Sequence, residues 1–241
     1  MCGRFTSTLG PQEIGRQLGE PLGVAVRESA GTGRYNVAPT QDVLTILAPD
    51  GQRQPRVLRW DLVPAFARTV KPPKWGPRIN ARVESLRSKR TYFGVAPDAA
   101  HRALIVADAF YEWPAPERDA AKRKLKPPPF CFTVDDGRAF CFAGLWTTAP
   151  DIEDGPVESC TIITCDASEN RVVGPVHSRM PVILADIAEM NAWLDASVSS
   201  AEALSLCEPL PADRMSARRA SKAVNNVNSP EGPDLLLGEH P

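Results

Sequence analysis

The sequence lacks the signals of exported, membrane-spanning and zinc-binding proteins. No apolar run approaches the ~18 residues that a membrane-spanning helix requires. The amino terminus has no apolar stretch behind a basic start, so no secretory signal is predicted. None of the six cysteines forms a C-x-x-C pair, which argues against a structural zinc site, and without export a disulfide framework is also disfavoured. These absences predict a cytoplasmic protein with no membrane partner and no bound metal.

The short motifs of several large enzyme classes are missing as well. The chain contains no G-x-S-x-G, no P-loop and no H-E-x-x-H. The serine hydrolases, P-loop NTPases and zinc proteases therefore lack their sequence signatures here. No cofactor is predicted.

Proline, in contrast, is abundant. The chain has 24 prolines in 241 residues, about twice the usual ~5%, which favours short strands and rigid loops over a helix bundle. Sequence patterns predict strands over 42–48, 56–63, 103–111, 130–134, 139–146, 160–165 and 181–184, and helices over 11–19, 82–90, 186–195 and 200–207. The strands do not alternate with helices as βαβ units do. The pattern therefore predicts an α+β fold, a single domain with a curved, largely antiparallel β-sheet or barrel core and a few short helices.

The segments between these elements have predictions of their own. Residues 31–39 are predicted to form a turn-rich loop, and the charged residues 114–128 an exposed loop. The domain is expected to span 1–226, followed by a loosely held tail over 227–241. Five cysteines lie in apolar surroundings or on a predicted helix and are expected to be small buried hydrophobes. They are Cys131, Cys141, Cys160, Cys165 and Cys207.

One segment carries most of the basic character of a nearly neutral chain. The formal net charge is −1, yet residues 53–90 contain eleven Lys or Arg and only two acids, Asp61 and Glu84. Aromatic residues are interleaved with these charges: Trp60, Phe66, Trp75, Tyr92 and Phe93. Aromatic platforms in a basic groove are what single-stranded nucleic acid requires. The alternative is a solvated basic face whose aromatics belong to the core.

Cys2 differs from the other cysteines because no core surrounds it in the sequence. If Met1 is removed, Cys2 carries a free α-amine and a thiol on neighbouring carbons, and both nucleophiles are partly available near pH 7. The amine can condense with an aldehyde, and the thiol can then close a five-membered thiazolidine ring. The alternative is a cysteine that follows the initiator methionine without any function.

Three other polar residues are weak candidates when each is taken alone. Asn80 can be an ordinary loop amide. Glu112 ends an apolar run, where it is either solvated or buried and functional. His177 precedes a predicted strand, and a single histidine is more often structural than catalytic.

Taken together, the chemistry-bearing segments form an ordered set. They are MCGRF, RYNVAPTQ, RWDLVP, INARVES, FYEWP and HSRMPVIL. With these segments the sequence resembles the SOS-response-associated peptidase (SRAP) family, the abasic-site processing proteins. The resemblance runs from Cys2 to about residue 226, where AVNNVN matches the family's closing segment.

The resemblance implies a covalent chemistry on single-stranded DNA. Cys2 matches the family nucleophile, which attaches to an abasic site and shields it. Glu112 is expected to shuttle protons, His177 to protonate the sugar ring oxygen, and Asn80 to orient the Cys2 amine and thiol. The partner implied is single-stranded DNA with abasic sites, including those at single-strand/double-strand junctions. The protein is expected to be a monomer that associates with the nucleoid when bound to DNA.

Further positions match family residues that hold the DNA backbone or shape the pocket: Arg4, Asn36, Arg82 and Arg90. The chain departs from the family pattern at two places. Asp61 stands where the family usually has glycine, and Phe66 lies near a position that is often tryptophan, where an aromatic wedge interrupts base stacking.

Two readings from other classes remain open from the sequence alone. One is a peptidase or amidohydrolase that uses Cys2 as its nucleophile, with removal of Met1 as self-processing. The other is a non-covalent single-strand binder that uses only the basic aromatic groove.

Overall fold

The computed structural model describes residues 2–19, 33–71, 74, 76–87, 97–115 and 127–238. Within these residues the strands are β1 Arg4–Ser7, β2 Arg34–Val37, β3 Asp42–Leu47, β4 Gln54–Trp60, β5 Asn80–Arg82, β6 Arg102–Ala107, β7 Ala109–Glu112, β8 Phe130–Val134, β9 Phe140–Ala149, β10 Val157–Asp166, β11 Arg179–Pro181, β12 Ile183–Leu184 and β13 Met215–Arg219. The α-helices are α1 Pro11–Leu18, α2 Val83–Arg87, α3 Ile187–Leu194 and α4 Ser200–Ser205. Across the described ranges, no helix is both long and apolar enough to cross a membrane.

The strands form two sheets. In the larger sheet β3, β4, β10, β9 and β6 pair in a closed ring, and β5, β11 and β12 extend it. Pairings within the ring are antiparallel except β4 with β10. The second sheet has the order β13-β8-β7-β1-β2 and is antiparallel throughout. The structure confirms the predicted α+β domain with a largely antiparallel barrel core and a few short helices.

The strand predicted over 103–111 is divided at Asp108. β6 belongs to the barrel and β7 to the second sheet, so the chain changes sheets at this residue. The Asp108 carboxylate accepts hydrogen bonds from the Thr6 hydroxyl, from the Thr8 hydroxyl at 2.8 Å and from the Leu9 main-chain N–H at 3.0 Å. A buried carboxylate that serves as a shared acceptor holds β1 beside the point where the chain changes sheets.

Aromatic side chains join the two sheets into one core. The Phe5 ring on β1 lies edge-on to Trp60 on β4, with centroids 5.0 Å apart, and to Phe142 on β9 at 5.5 Å. Trp60 is fully buried. The expectation that Trp60 serves as a stacking platform for nucleic acid is therefore wrong, because both of its faces are enclosed by core residues. Trp75, Tyr92 and Phe93 lie outside the described residues.

Predicted elements with strong local patterns are confirmed, and short edge strands were missed. The strand at 130–134 and the helix over 11–18 agree closely with the structure. The prediction of a loop over 31–39 is wrong in part, because β2 lies within it. β2 is held by pairing with β1, Phe5 opposite Val37, and such distant pairing leaves no periodicity in four residues. The predicted loop at 114–128 lies mostly outside the described residues.

The five cysteines expected in the core are buried and free, as predicted. The extent of the domain and its tail stays a prediction. Within 227–238, Pro233–Leu236 form a 3-10 turn, and the buried Leu235 packs with Val224 and Tyr111.

Candidate functional site

The two sheets meet at the start of the chain, where four predicted site residues converge. Cys2 lies two residues before β1, and the antiparallel register of β1 with β7 brings Glu112 beside this end of the strand. Asn80, the first residue of β5, donates from Nδ2 to the Cys2 carbonyl oxygen at 2.8 Å. His177 lies two residues before β11. Burial raises the pKa of Glu112 and lowers that of His177; the positive charge of the amino terminus opposes the first shift and adds to the second, so it acts on both groups.

Cys2 lies in the core, in contrast to its expected position outside it. Its side chain is fully buried among the residues that fill the interior between the sheets. Burial and, secondarily, the charge of Glu112 raise the pKa of the Cys2 thiol far above its usual range. The resting group is therefore a protonated thiol, which needs a neighbouring base before it can act as a nucleophile.

Glu112 is suited to be that base. Its carboxyl is almost completely buried, and burial raises its pKa to about 7. The amino-terminal charge and the main-chain N–H of Trp113 oppose this rise without cancelling it. A group with this pKa is present as both acid and base near neutral pH, the condition under which general acid–base catalysis is most effective.

The Asn80 side-chain amide uses its nitrogen in a hydrogen bond, while its oxygen has no partner among the described residues. The side chain is 8% exposed, and its Nδ2 is used by the Cys2 carbonyl. Its Oδ1 is buried and accepts no hydrogen bond from any residue in the described ranges. An acceptor of this kind beside Cys2 can receive a hydrogen bond from an amine or a hydroxyl.

His177 is held at one ring nitrogen by the backbone of Arg179. The Arg179 main-chain N–H donates to Nδ1 at 3.0 Å, and the Arg179 carbonyl oxygen lies 3.1 Å from the same nitrogen. Because an N–H can only donate, the neutral ring accepts at Nδ1 and carries its proton on Nε2. A protonated ring can instead donate from Nδ1 to the carbonyl. Burial lowers the pKa of His177, which favours the neutral ring.

Comparisons with known proteins identify the family of the chain. The profile of the SOS response associated peptidase (SRAP) family matches residues 1–227. The chain belongs to this family. It is 37% identical over 235 residues to the abasic site processing protein YoqW of Bacillus subtilis, covering 96% of this chain and 98% of that protein. It is 29% identical over 240 residues to YedK of Escherichia coli, also named an abasic site processing protein, covering 98% and 99%.

A solved structure shares the fold of this SRAP domain. The crystal structure of a protein from Bacteroides thetaiotaomicron matches with a TM-score of 0.75 and 23% identity, covering 98% of each chain. Among the residues described for the SRAP domain, no three His, Cys, Asp or Glu side chains group as metal ligands.

The predicted DNA-contacting residues of the SRAP domain have different surroundings. Arg82 is exposed and, two residues after Asn80 on β5, shares its strand face. Phe66 is 74% exposed, next to a turn closed by the Ala67 N–H on the Pro64 carbonyl at 2.8 Å. Arg4 is half-buried, and its guanidinium donates to the Gly3 carbonyl at 2.8 Å. Arg90 lies outside the described residues.

Asn36 is buried and bound to the closing segment of the domain. Its amide donates to the carbonyls of Asn226 at 3.0 Å and Val224 at 3.3 Å. The Trp113 indole, next to Glu112 in the chain, donates to the Asn225 side chain at 2.8 Å. Asn36 therefore fastens residues 224–226 to the second sheet, consistent with a residue that shapes the pocket rather than one that contacts DNA.

Asp61 does not present its charge to solvent. It is fully buried, and its carboxylate accepts the main-chain N–H of Arg78 at 2.7 Å. The guanidinium groups of Arg59 and Arg78 lie 3.6 and 3.9 Å from its oxygens. The Leu62 N–H donates to the Arg78 carbonyl at 3.2 Å. Asp61 therefore closes the base of the chain segment that carries Phe66, a role that needs tertiary contacts and left no signal in the sequence.

Replacing Asp61 should separate its acceptor role from its charge. Asp61→Ala is expected to lower the free energy of unfolding by about 3–5 kcal/mol, because it removes a buried anion that two arginines surround. Asp61→Asn should cost less, since its amide oxygen can still accept the Arg78 N–H. Urea unfolding followed by fluorescence measures both. Equal midpoints for Asp61→Ala and the wild type would show that the carboxylate does not hold this segment.

Proposed function

We propose that this protein binds abasic sites in single-stranded DNA and forms a covalent thiazolidine crosslink through Cys2 after removal of Met1. The curated relatives named abasic site processing proteins support the substrate. The observation that carries the chemistry is the buried pair formed by Cys2 and Glu112, with Asn80 hydrogen-bonded to the Cys2 carbonyl. The product shields the lesion from strand cleavage during the response to DNA damage.

The reaction uses two nucleophiles of one residue in sequence. An abasic sugar is mainly a closed hemiacetal, so its ring opens first to expose the aldehyde. The Cys2 amine adds to the aldehyde carbon, and loss of water leaves an imine. The Cys2 sulfur then adds to the imine carbon while its proton passes to the imine nitrogen, which closes the thiazolidine. Ring closure removes the imine that would otherwise promote β-elimination and strand scission.

Each polar neighbour of Cys2 transfers a proton or makes a hydrogen bond in this reaction. Glu112 first gives a proton to the departing hydroxyl and then takes the thiol proton and passes it to the imine nitrogen, and its pKa of about 7 permits both transfers. His177 donates a hydrogen bond from Nε2 to the sugar ring oxygen during opening, while the proton that this oxygen gains is the one that the C1 hydroxyl loses. Asn80 Oδ1 accepts a hydrogen bond from the Cys2 amine. This bond directs the lone pair of the amine nitrogen towards the aldehyde.

DNA binding without reaction should depend on exposed basic residues such as Arg82. Arg82→Ala is expected to weaken binding of undamaged single-stranded DNA and to reduce the slope of log K against log salt by ~0.7, the value for one phosphate contact. Arg138→Ala is the matched control, because Arg138 is also exposed but follows the end of β8 that lies away from Glu112. If both variants keep the wild-type slope, Arg82 does not contact phosphate.

One experiment tests the proposal as a whole. Intact mass spectrometry of the protein is compared before and after incubation with single-stranded DNA that carries one abasic site, alongside a denaturing gel. We expect a protein lacking Met1 and a product equal to protein plus DNA minus one water. Cleavage of a peptide substrate without this product would support a peptidase. Reversible, salt-sensitive binding without it would support a non-covalent binder. Either result overturns the proposal.

A further inference from the structure

Asn80 and His177 reach the site from opposite edges of β10. β5, which begins with Asn80, pairs with β10 in parallel, and Arg82 lies opposite Thr164. β11 pairs with β10 antiparallel on its other edge, and Arg179 lies opposite Asp166. Neither segment contacts the other through main-chain pairing. β10 sets the spacing of the two segments, and only side chains that cross β10 join them directly.

Arg179 makes this crossing. Its Nη2 donates to the Thr164 carbonyl oxygen at 2.6 Å and to the Thr164 hydroxyl at 3.3 Å. The same guanidinium reaches Glu84, with Nη1–Oε1 at 2.6 Å and Nη2–Oε2 at 3.1 Å. Glu84 lies in the first turn of α2, which follows β5 without a break. The Arg179 guanidinium thus links the β5–α2 segment to β11 across β10. Its two parallel bonds to the Glu84 carboxylate are the geometry that fixes orientation best.

The backbone of Arg179 holds His177. Its main-chain N–H donates to His177 Nδ1 at 3.0 Å. One residue therefore binds Glu84 through its side chain and the histidine ring through its amide. Any shift of Arg179 relative to β10 is transmitted directly to the ring.

We propose that Glu84 is a positioning residue, which acts through Arg179 to set the ring orientation and tautomer of His177 relative to Asn80. This inference rests on the proposed function, in which the neutral His177 ring donates a hydrogen bond from Nε2 to the sugar ring oxygen. Glu84 itself does not touch the reacting atoms. Without it, Arg179 keeps its pairing with Asp166 and its Thr164 contacts but loses its tie to α2, so the orientation of the ring is less tightly fixed.

A role limited to stability is a weaker account of the pair. Arg179 has 13% of its side chain exposed, but Glu84 has 55%. Ion pairs with a solvated partner contribute little to stability, because water and salt screen the charges. The variants Glu84→Gln and Glu84→Ala should therefore fold as the wild type does, and their effect should appear at His177.

The test compares Glu84→Gln and Glu84→Ala with a matched control. Glu13→Gln removes the charge from another carboxylate that binds an arginine through two bonds, Glu13 with Arg16 on α1. The first measurement is the ¹⁵N spectrum of the ring nitrogens in DNA-free protein, where His177→Ala identifies the His177 signals among the three histidines. The second is the single-turnover rate of adduct formation at saturating abasic single-stranded DNA.

We expect Glu84→Ala to move the His177 ring signals towards a mixture of tautomers and to slow adduct formation on the order of 10-fold, less than the ~10²-fold that a 1 Å misplacement can cost. Glu84→Gln, which keeps one acceptor oxygen, should show a smaller change in both, and Glu13→Gln none. Unchanged His177 signals in Glu84→Ala would overturn the inference. So would changed signals with a wild-type rate. If the wild type forms no adduct, the proposed function fails, while the ring spectrum still reports whether Glu84 positions His177.

Discussion

A protein that keeps one uncleaved residue before Cys2 is expected to bind single-stranded DNA and to form no stable adduct with an abasic site. The extra residue converts the Cys2 amine into an amide, whose nitrogen cannot condense with an aldehyde, while the thiol is unchanged. The exposed basic residues, such as Arg82, are not altered. Adduct yield on a denaturing gel and binding of undamaged DNA at equilibrium measure the two properties separately. A heat-stable adduct at wild-type yield would rule out the thiazolidine.

Cys2→Ala and Cys2→Ser test the thiol, whereas the extended protein tests the amine. Both keep the amine and lose the thiol, so both are expected to form an imine that borohydride can trap and that can break the strand by β-elimination. Cys2→Ser should resemble Cys2→Ala, since oxazolidines are less stable than thiazolidines. Because the Cys2 side chain is fully buried, urea unfolding of each variant is the necessary control for folding.

Glu112→Gln is expected to slow adduct formation by ~10²–10⁴-fold, the usual contribution of a general acid–base group. The substitution keeps the shape of the side chain and removes its titratable proton. Reversal of a formed adduct should slow as well, because both directions cross the same proton transfers. Single-turnover rates in each direction measure the effect. Wild-type rates in both directions would remove Glu112 from the mechanism.

The pH dependence gives an independent signature of the same residue. With a pKa of about 7, Glu112 changes from acid to base across neutral pH. The wild-type rate should therefore change near pH 7, and that change should be absent in Glu112→Gln. Residual activity that still titrates near pH 7 would assign this pKa to another group.

The stability of the folded protein should also depend on the ionisation of Glu112. The folded protein holds the Glu112 proton up to about pH 7, whereas an unfolded glutamate loses it near ~4.3. The folded state therefore binds more protons in this interval, and this carboxyl makes stability fall as pH rises through it. Glu112→Gln has no proton to lose and should be at least as stable as the wild type at pH 8, as urea unfolding at pH 5 and 8 can show.

The sequence by itself determined the fold class, the family and the identity of the candidate site residues. Proline content and short apolar runs predicted an α+β barrel because these are local properties of the chain. The segments around Cys2, Asn80, Glu112 and His177 were readable because each is a short contiguous motif of the family that the chain resembles. Their grouping into one site followed from the resemblance to a family and not from the spacing of the residues.

Only the tertiary structure decided the environment of those residues. Cys2 was expected outside the core and is buried. The reason is that β1 pairs with β7, about a hundred residues later in the chain, and this pairing brings Cys2 into the interior between the sheets. Asp61, which the sequence showed only as a departure from the family pattern, is enclosed by Arg59 and Arg78. Burial and partners of this kind set pKa values and ring orientation, and both depend on contacts between distant segments. Such contacts leave no periodicity or motif in the sequence, so only the pairing of the strands in the tertiary structure reveals them.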